Sequence, residues 1–148
     1  MTAARELGRV LGLDLGDARI GVAISDPERR VAVPLGTVHV GRPPGEMRAV
    51  GELVRDNDVT LVVIGEPKSM DGSRGTRADH AASFAQALEA MLSVPIVLHD
   101  ERLSTVEAER GLRAAGVPGR QRRAVVDAAA AQVILQAWLD ATNGRPAG

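Results

Sequence analysis

The order of its apolar segments constrains the fold of this chain more than any other feature of the sequence. Two short apolar segments, residues 10–15 and 20–25, are separated by a tight turn and predict two strands. A third strand is predicted over 31–40, where Pro34 favours an edge strand or a bulge. Helical stripes and short apolar segments then alternate, which predicts a helix over 47–57, a strand over 60–64, a helix over 76–92, a strand over 94–99 and helices over 104–116 and 124–141.

Three early strands followed by alternating helices and strands are typical of one α/β domain with a mixed sheet. A length of 148 residues is sufficient for such a domain with a real core. We therefore expect a single domain over residues 1–148, built on a five-stranded mixed sheet with helices on both faces. Residues 1–8 and 142–148 are expected to form frayed tails.

The composition excludes several classes of function. The chain has no cysteine, which excludes disulfides, thiolate catalysis and cysteine-ligated metals. A formal net charge of −1 gives no overall attraction to nucleic acid or membrane, so a polyanionic partner needs a local basic patch. The sequence has neither an apolar leader nor a long apolar stretch, which predicts a cytoplasmic protein that does not contact a membrane.

A carboxylate inside an apolar strand is the first indication of a functional site. Asp14 lies in the middle of the first strand, between Gly12 and Gly16. Aspartate is disfavoured within strands, and a charged side chain is costly to bury unless it is paired or bound to a metal ion. We therefore interpret Asp14 as functional.

A second carboxylate lies on an apolar stripe of the final helix. Asp127 shares its helical face with Ala130, Ala131, Ile134 and Trp138, at helical spacings of the sequence. The stripe indicates that the carboxylate points toward the sheet. The position of Asp127 near the predicted helix start also favours an acid, through the helix dipole, but the dipole does not explain the apolar face.

Further acids follow the two buried strands. Glu66 follows the strand at 60–64, and Asp100 and Glu101 follow the strand at 94–99. Asp100 and Glu101 are adjacent, so at most one of them can join Asp14 and Asp127 on one face. Like charges repel unless a cation neutralises them, and an oxygen-only donor set favours Mg²⁺ or Mn²⁺. Two such ions, about 4 Å apart, can promote phosphodiester hydrolysis.

Basic side chains flank these acids and predict contacts to a phosphate backbone rather than to bases. Three arginines precede Asp127 in what is predicted to be a loop, and further basic residues lie in the turn after the first strand and in the loop after Glu66. The predicted nucleic-acid contacts are Arg19, Lys68, Arg74, Arg120, Arg122 and Arg123.

Four motifs together resemble the YqgF (RuvX) family: "GLDLGDARIGVAISD", "GEPKSMDGS", "DERLSTVEAE" and "VDAAAAQVIL". The resemblance runs from about Val10 to Leu139. It implies a ribonuclease H-like fold and a Holliday-junction-resolvase-like nuclease implicated in maturing the 5′ end of precursor 16S ribosomal RNA. It also implies that Asp14, Glu101 and Asp127 form the catalytic and metal-binding set. One departure concerns Glu66, which stands where the family usually has an apolar residue and is a candidate fourth ligand.

The expected function is therefore a metal-dependent nuclease acting on structured RNA or DNA, as a monomer or a homodimer. Two other functions stay open: a structure-specific DNA nuclease such as a junction resolvase, which needs a dimer, and a non-catalytic module that binds nucleic acid or a ribosomal or transcription partner. An actin-like ATPase is disfavoured, because that fold binds nucleotide between two such domains and this chain accommodates one.

Overall fold

The computed structural model describes residues 7–41, 45–67, 76–101 and 119–143, with side chains at 7–41, 45–67, 79–101 and 127–143. Within these ranges strands and helices follow in the order predicted from the sequence. They are β1 (Arg9–Leu15), β2 (Arg19–Ser25), β3 (Ala32–His39), α1 (Glu46–Asp56), β4 (Val59–Glu66), α2 (Thr76–Met91), β5 (Ile96–Asp100) and α3 (Gly119–Thr142).

The strands form one five-stranded mixed sheet in the order β3-β2-β1-β4-β5. β1 and β2 are antiparallel, as are β2 and β3, whereas β1, β4 and β5 run parallel. β3 is an edge strand, and its register with β2 shifts between Val22 and Ala23, opposite Pro34. Both features that Pro34 predicted are therefore present, and the mixed α/β sheet is confirmed.

Alternating side chains give the sheet two different faces. One face, here called the core face, carries large apolar residues of β1, β2 and β4 and is covered by α1 and α2. The opposite face, here called the site face, carries smaller residues of the same strands, among them Val10, Gly12, Gly21 and Ala23, and is covered by α3. The buried residues of the core face include Leu11, Leu13, Leu15, Ile20, Val22, Ile24, Val62 and Ile64.

Small residues bring α3 close to the sheet. Residues 128–131 are four consecutive buried alanines, and a Cβ added to Gly12 of β1 would lie 2.8 Å from the Cβ of Leu135. Two glutamines then tie α3 to the edge strand. Gln132 Nε2 donates to Ala32 O at 3.0 Å, and the Ala32 N–H donates to Gln136 Oε1 at 2.9 Å. These contacts fix the position of α3 along the sheet and satisfy polar groups of β3.

Three predicted elements differ from the structure. β4 extends to Glu66, so that Glu66 ends a strand instead of starting a loop. β5 is an edge strand with β4 as its only neighbour in the sheet, and Leu98 is therefore exposed, whereas the sequence predicted a buried strand. The segment around Arg120, Arg122 and Arg123 was predicted to be a loop but forms the first turns of α3, which suits the helix propensity of arginine and glutamine.

Two further predictions fall mainly outside the described residues. These are the helix at 104–116 and most of the two tails, at 1–6 and 144–148. No helix within the described ranges has the length and apolar composition that a membrane span requires.

Candidate active site

Three of the predicted carboxylates lie on the site face. Asp14 alternates with Val10 and Gly12 along β1, Glu101 directly follows β5, and Asp127 lies on α3. Asp14 and Glu101 are 4% and 8% exposed, whereas the Asp127 side chain is 24% exposed. Because α3 begins at Gly119, Asp127 is two turns inside the helix, and a helix dipole at the N-terminus does not account for it.

Gly21 brings Asp127 next to Asp14. In the β1–β2 ladder Asp14 pairs with Gly21, and directly opposed positions are about 5 Å apart. A Cβ on Gly21 would overlap the main-chain carbonyl of Asp127. Only a glycine therefore allows α3 to pass this close to β2, and the approach places Asp127 beside the strand position that faces Asp14.

Gly65 plays the corresponding role on the other side of β1. Leu13 pairs with Ile64 in the parallel β1–β4 ladder, and continuing this register brings Asp14 beside Gly65. A Cβ on Gly65 would lie 2.7 Å from Ile134 Cδ1 of α3, 2.8 Å from Glu101 Oε2 and 3.3 Å from Glu101 Cγ. The Glu101 side chain therefore folds over Gly65 toward β1. Asp14 is flanked by two glycines: Gly21 makes room for the main chain of Asp127, and Gly65 makes room for the side chains of Glu101 and Ile134.

Arg19 is paired with one of these acids. Its Nε donates to Asp127 Oδ2 at 2.9 Å, and the two side chains are 21% and 24% exposed. Arg19 is the first residue of β2, and it alternates with Gly21 on the site face. We predicted that Arg19 contacts nucleic acid; within the structure described here its partner is a carboxylate of the site.

A buried histidine adjoins the carboxylates. His99 pairs with Gly65 in the β4–β5 ladder and is 7% exposed. Its Nε2 makes no hydrogen bond within the described part of the chain. Burial lowers the pKa of His99, and the nearby Asp100 carboxylate opposes this shift only partly. His99 is therefore biased toward the neutral form.

Glu66 and Asp100 lie on the core face. Val62 and Ile64 belong to the core cluster under α1 and α2, and Glu66 follows them at the same alternation. Glu66 pairs with Asp100 in the β4–β5 ladder, so these two acids share a face opposite to that of Asp14. The structure therefore brings Asp14, Glu101 and Asp127 together and does not bring Glu66 to them.

Five of the six predicted basic contacts have side chains outside the described part of the chain. Lys68 and Arg74 lie outside the described residues, and so do the side chains of Arg120, Arg122 and Arg123. The helical backbone places Arg123 about one turn and Arg120 about two turns before Asp127. These contacts stay predictions.

The carboxylates fit a hard divalent cation in their chemistry and placement. The donor atoms are carboxylate oxygens, two of the three acids are buried, and all three acids lie on one face of the sheet. As the side chains lie, no three acidic or histidine residues of the described ranges form a group that could hold a metal ion, and Asp127 pairs with Arg19. A metal ion held by all three acids therefore requires their side chains to move closer together.

Sequence reasoning missed the two glycines and His99. Gly21 and Gly65 interrupt otherwise apolar strands, and a glycine inside a strand often marks a close approach of another group. That signal was available in the sequence, but what approaches each glycine depends on strand register and on the position of α3. His99 gave no signal, because nothing local distinguishes a buried histidine from one at a strand end.

The sequence is similar to a known family of proteins. The family model "RuvX: Holliday junction resolvase" matches residues 8–141. A protein of Anaeromyxobacter sp. (strain K) named "Putative pre-16S rRNA nuclease" is 49% identical over 132 residues, covering 89% of this chain and 96% of that protein. A protein of the same name from Pelotomaculum thermopropionicum is 45% identical over 139 residues, covering 93% of this chain and 90% of that protein. Another from Mycobacterium leprae is 48% identical over 136 residues, covering 91% of this chain and 74% of that protein.

A solved structure confirms the fold. Thermus thermophilus RuvC, in complex with a Holliday junction substrate, superimposes with a TM-score of 0.55 at 17% identity, covering 92% of this chain and 96% of RuvC. The ribonuclease H-like fold that the resemblance implied is therefore confirmed. Nuclease activity on this fold implies that a divalent metal ion is used and that nucleic acid is bound. The chain belongs to the RuvX family, and its activity is that of a nuclease, the hydrolysis of phosphodiester bonds.

Proposed function

We propose that this chain is a cytoplasmic, single-domain nuclease that trims the 5′ end of precursor 16S ribosomal RNA. Asp14, Glu101 and Asp127 hold the divalent cations, Mg²⁺ or Mn²⁺, and two ions are expected. The named relatives support the substrate, since they cover most of this chain at 45–50% identity.

The observation that carries the proposal is the arrangement around Asp14. The carboxylate is 4% exposed and is flanked by Gly21 and Gly65, with Asp127 over the first and Glu101 over the second. An apolar core alone would place an apolar side chain at position 14, as it does at Val10 on the same face. The strands instead carry glycine where two acids approach a third, which is the arrangement expected for a cation site.

Bound divalent cations would supply Lewis-acid stabilisation of the attacking and leaving oxygens of a phosphodiester. The side chains of the protein would hold the cations and orient the substrate. Asp14 presents a carboxylate from a rigid central strand, and Glu101 closes the site from β5. His99, whose pKa is lowered by burial, borders the site as a neutral side chain. The basic residues before Asp127 would orient the phosphate backbone without reading bases.

Cleavage assays with the purified chain test the proposal. The substrates are a precursor 16S fragment that spans the mature 5′ end, the mature fragment, a four-way DNA junction and a linear DNA duplex. Each is incubated with Mg²⁺, Mn²⁺ or chelator. We expect cleavage of the precursor fragment with either metal, none with chelator, and none by the Asp14→Asn variant. Precursor RNA left intact under every condition would overturn the proposal.

A second candidate is resolution of four-way DNA junctions. The description of the family model and the junction complex of the RuvC neighbour favour it. Resolution requires two sites on one junction and hence a dimer, so the sizes of the free and junction-bound protein distinguish the two functions. Paired symmetric cuts in the junction, with precursor RNA intact, would establish the second function instead.

A non-catalytic binding module is the third alternative. Such a module would bind precursor RNA or a ribosomal partner without cleaving it, and Asp14→Asn would leave binding unchanged. Binding by the parent chain with no cleavage under any metal condition would favour this function.

A further inference from the structure

We propose that Arg19 is a positioning residue that couples cation binding to substrate binding: it holds Asp127 in the metal-free site and turns to a substrate phosphate when Asp127 binds a cation. This inference rests on the proposed metal site, but its test requires no cleavage.

The backbone of Arg19 is fixed. The Gly16 N–H donates to Arg19 O at 2.9 Å, which closes the turn between β1 and β2, and Arg19 pairs with His39 of β3 on its other side. Only the side chain can therefore move. The pair with Asp127 spans 108 positions of sequence, from the start of β2 to α3.

The pair uses a small part of the guanidinium. Nε contacts Asp127 Oδ2 at 2.9 Å, and among the described residues Asp127 is the only hydrogen-bond partner of the Arg19 side chain. A guanidinium has five N–H donors, and a planar pair of them matches the oxygens of a phosphate. About a fifth of the Arg19 side chain is exposed, so it can be approached from solvent.

A divalent ion and Arg19 would compete for the Asp127 carboxylate. An ion bound by Asp127 would withdraw electron density from the oxygen that accepts from Arg19 Nε and would repel the guanidinium, so the hydrogen bond would weaken. The Arg19 guanidinium would then pair with a different anion. A phosphate of the nucleic acid at the rim of the site is the anion that the proposed activity supplies.

The pair is not required to hold α3 on the sheet. The close approach at Gly21 and the bonds of Gln132 and Gln136 to β3 already fix the helix. A partly exposed ion pair contributes little to stability by itself. We therefore expect Arg19→Gln to lower the melting temperature by at most a few degrees.

Calorimetric titration of MnCl₂ into the full chain, without nucleic acid, tests the competition. Removing the competing charge should make Arg19→Gln bind Mn²⁺ about fivefold more tightly than the parent. Arg19→Lys keeps the charge and should stay within about twofold. Weaker Mn²⁺ binding by Arg19→Gln, or a melting temperature lowered by many degrees, would show that Arg19 is an anchor and overturn the proposal.

Binding of the precursor 16S fragment and of the four-way junction tests the coupling, with Ca²⁺ as the cation and chelator as the reference. In chelator, parent and Arg19→Gln should bind within about twofold of each other, and in Ca²⁺ the variant should bind about fivefold more weakly. An equal loss in both conditions, or no difference with either probe, would overturn the coupling. Asp14→Asn is the control: if it still binds Mn²⁺, the proposed metal site fails, independently of Arg19.

Discussion

The two faces of the same strands are built on opposite principles. On the core face, β1, β2 and β4 present leucine, isoleucine and valine to α1 and α2, and these residues are almost completely buried. On the site face, the intervening positions include Gly12, Asp14, Gly21 and Gly65, and a Cβ on any of these glycines would lie within 3 Å of a residue of α3. Hydrophobic stabilisation comes from the core face and from the apolar part of the site face, such as Val10 and Val63, and it allows the site face to carry a buried carboxylate at a cost.

The comparison also separates two buried glutamates. Glu66 and Glu101 both follow or end parallel strands at the same edge of the sheet and are 7% and 8% exposed. Strand alternation places Glu66 on the core face, whereas Glu101 folds over Gly65 on the site face. Burial by itself therefore does not identify the functional acid; the face does.

The largest expected effect distinguishes these two glutamates. Glu101→Gln should abolish cleavage at every metal concentration, because it removes a carboxylate that lies over Gly65 on the site face with Asp14. Glu66→Gln should cost no more than about tenfold, as expected for a group outside the direct ligands. Initial rates across a Mn²⁺ series measure both. If the larger loss of cleavage occurs in Glu66→Gln, the assignment of Glu101 to the catalytic set and of Glu66 to the core face is wrong.

The next effect concerns the approach of α3 to β2. Gly21→Ala should destabilise the chain by about 3 kcal/mol, because its Cβ meets the main chain of Asp127 and a backbone cannot move aside cheaply. Gly51→Ala, on α1, is the matched control. Its Cβ meets the flexible end of Met91 at 3.2 Å, and alanine is favoured over glycine within a helix by about 1 kcal/mol. Urea unfolding measures both, and equal effects would contradict the tight approach.

The smallest effect concerns the glutamines that tie α3 to β3. Among the described residues, the Gln136 side chain makes three hydrogen bonds: Oε1 accepts from the Ala32 N–H, and Nε2 donates to Arg30 O and Asp140 Oδ1, at 2.9 to 3.0 Å. The Gln132 side chain makes one there, donating to Ala32 O. We expect Gln136→Ala to cost about 2 kcal/mol and Gln132→Ala about 1 kcal/mol. Thermal unfolding measures the order, and a larger loss at Gln132 would show that these bonds do not hold the helix.

The sequence by itself determined the features that depend on local periods. Alternation within β1 identified Asp14 as a carboxylate inside an apolar strand, and the helical stripe of the final helix placed Asp127 on its apolar face. Alternation also showed that Asp100 and Glu101 cannot share a face. The element order was sufficient to predict the mixed sheet, because three strands before the alternating pattern allow few other arrangements.

Only the tertiary structure decided the relations between distant segments. Which face Glu66 occupies relative to Asp14 depends on the register of β4 against β1, and a shift of one residue would reverse it. The exposure of β5 depends on its place at the sheet edge. The pairing of Arg19 with Asp127 joins residues 108 positions apart. A local pattern specifies where a side chain points on its own element, but its partner is fixed only when the elements pack together.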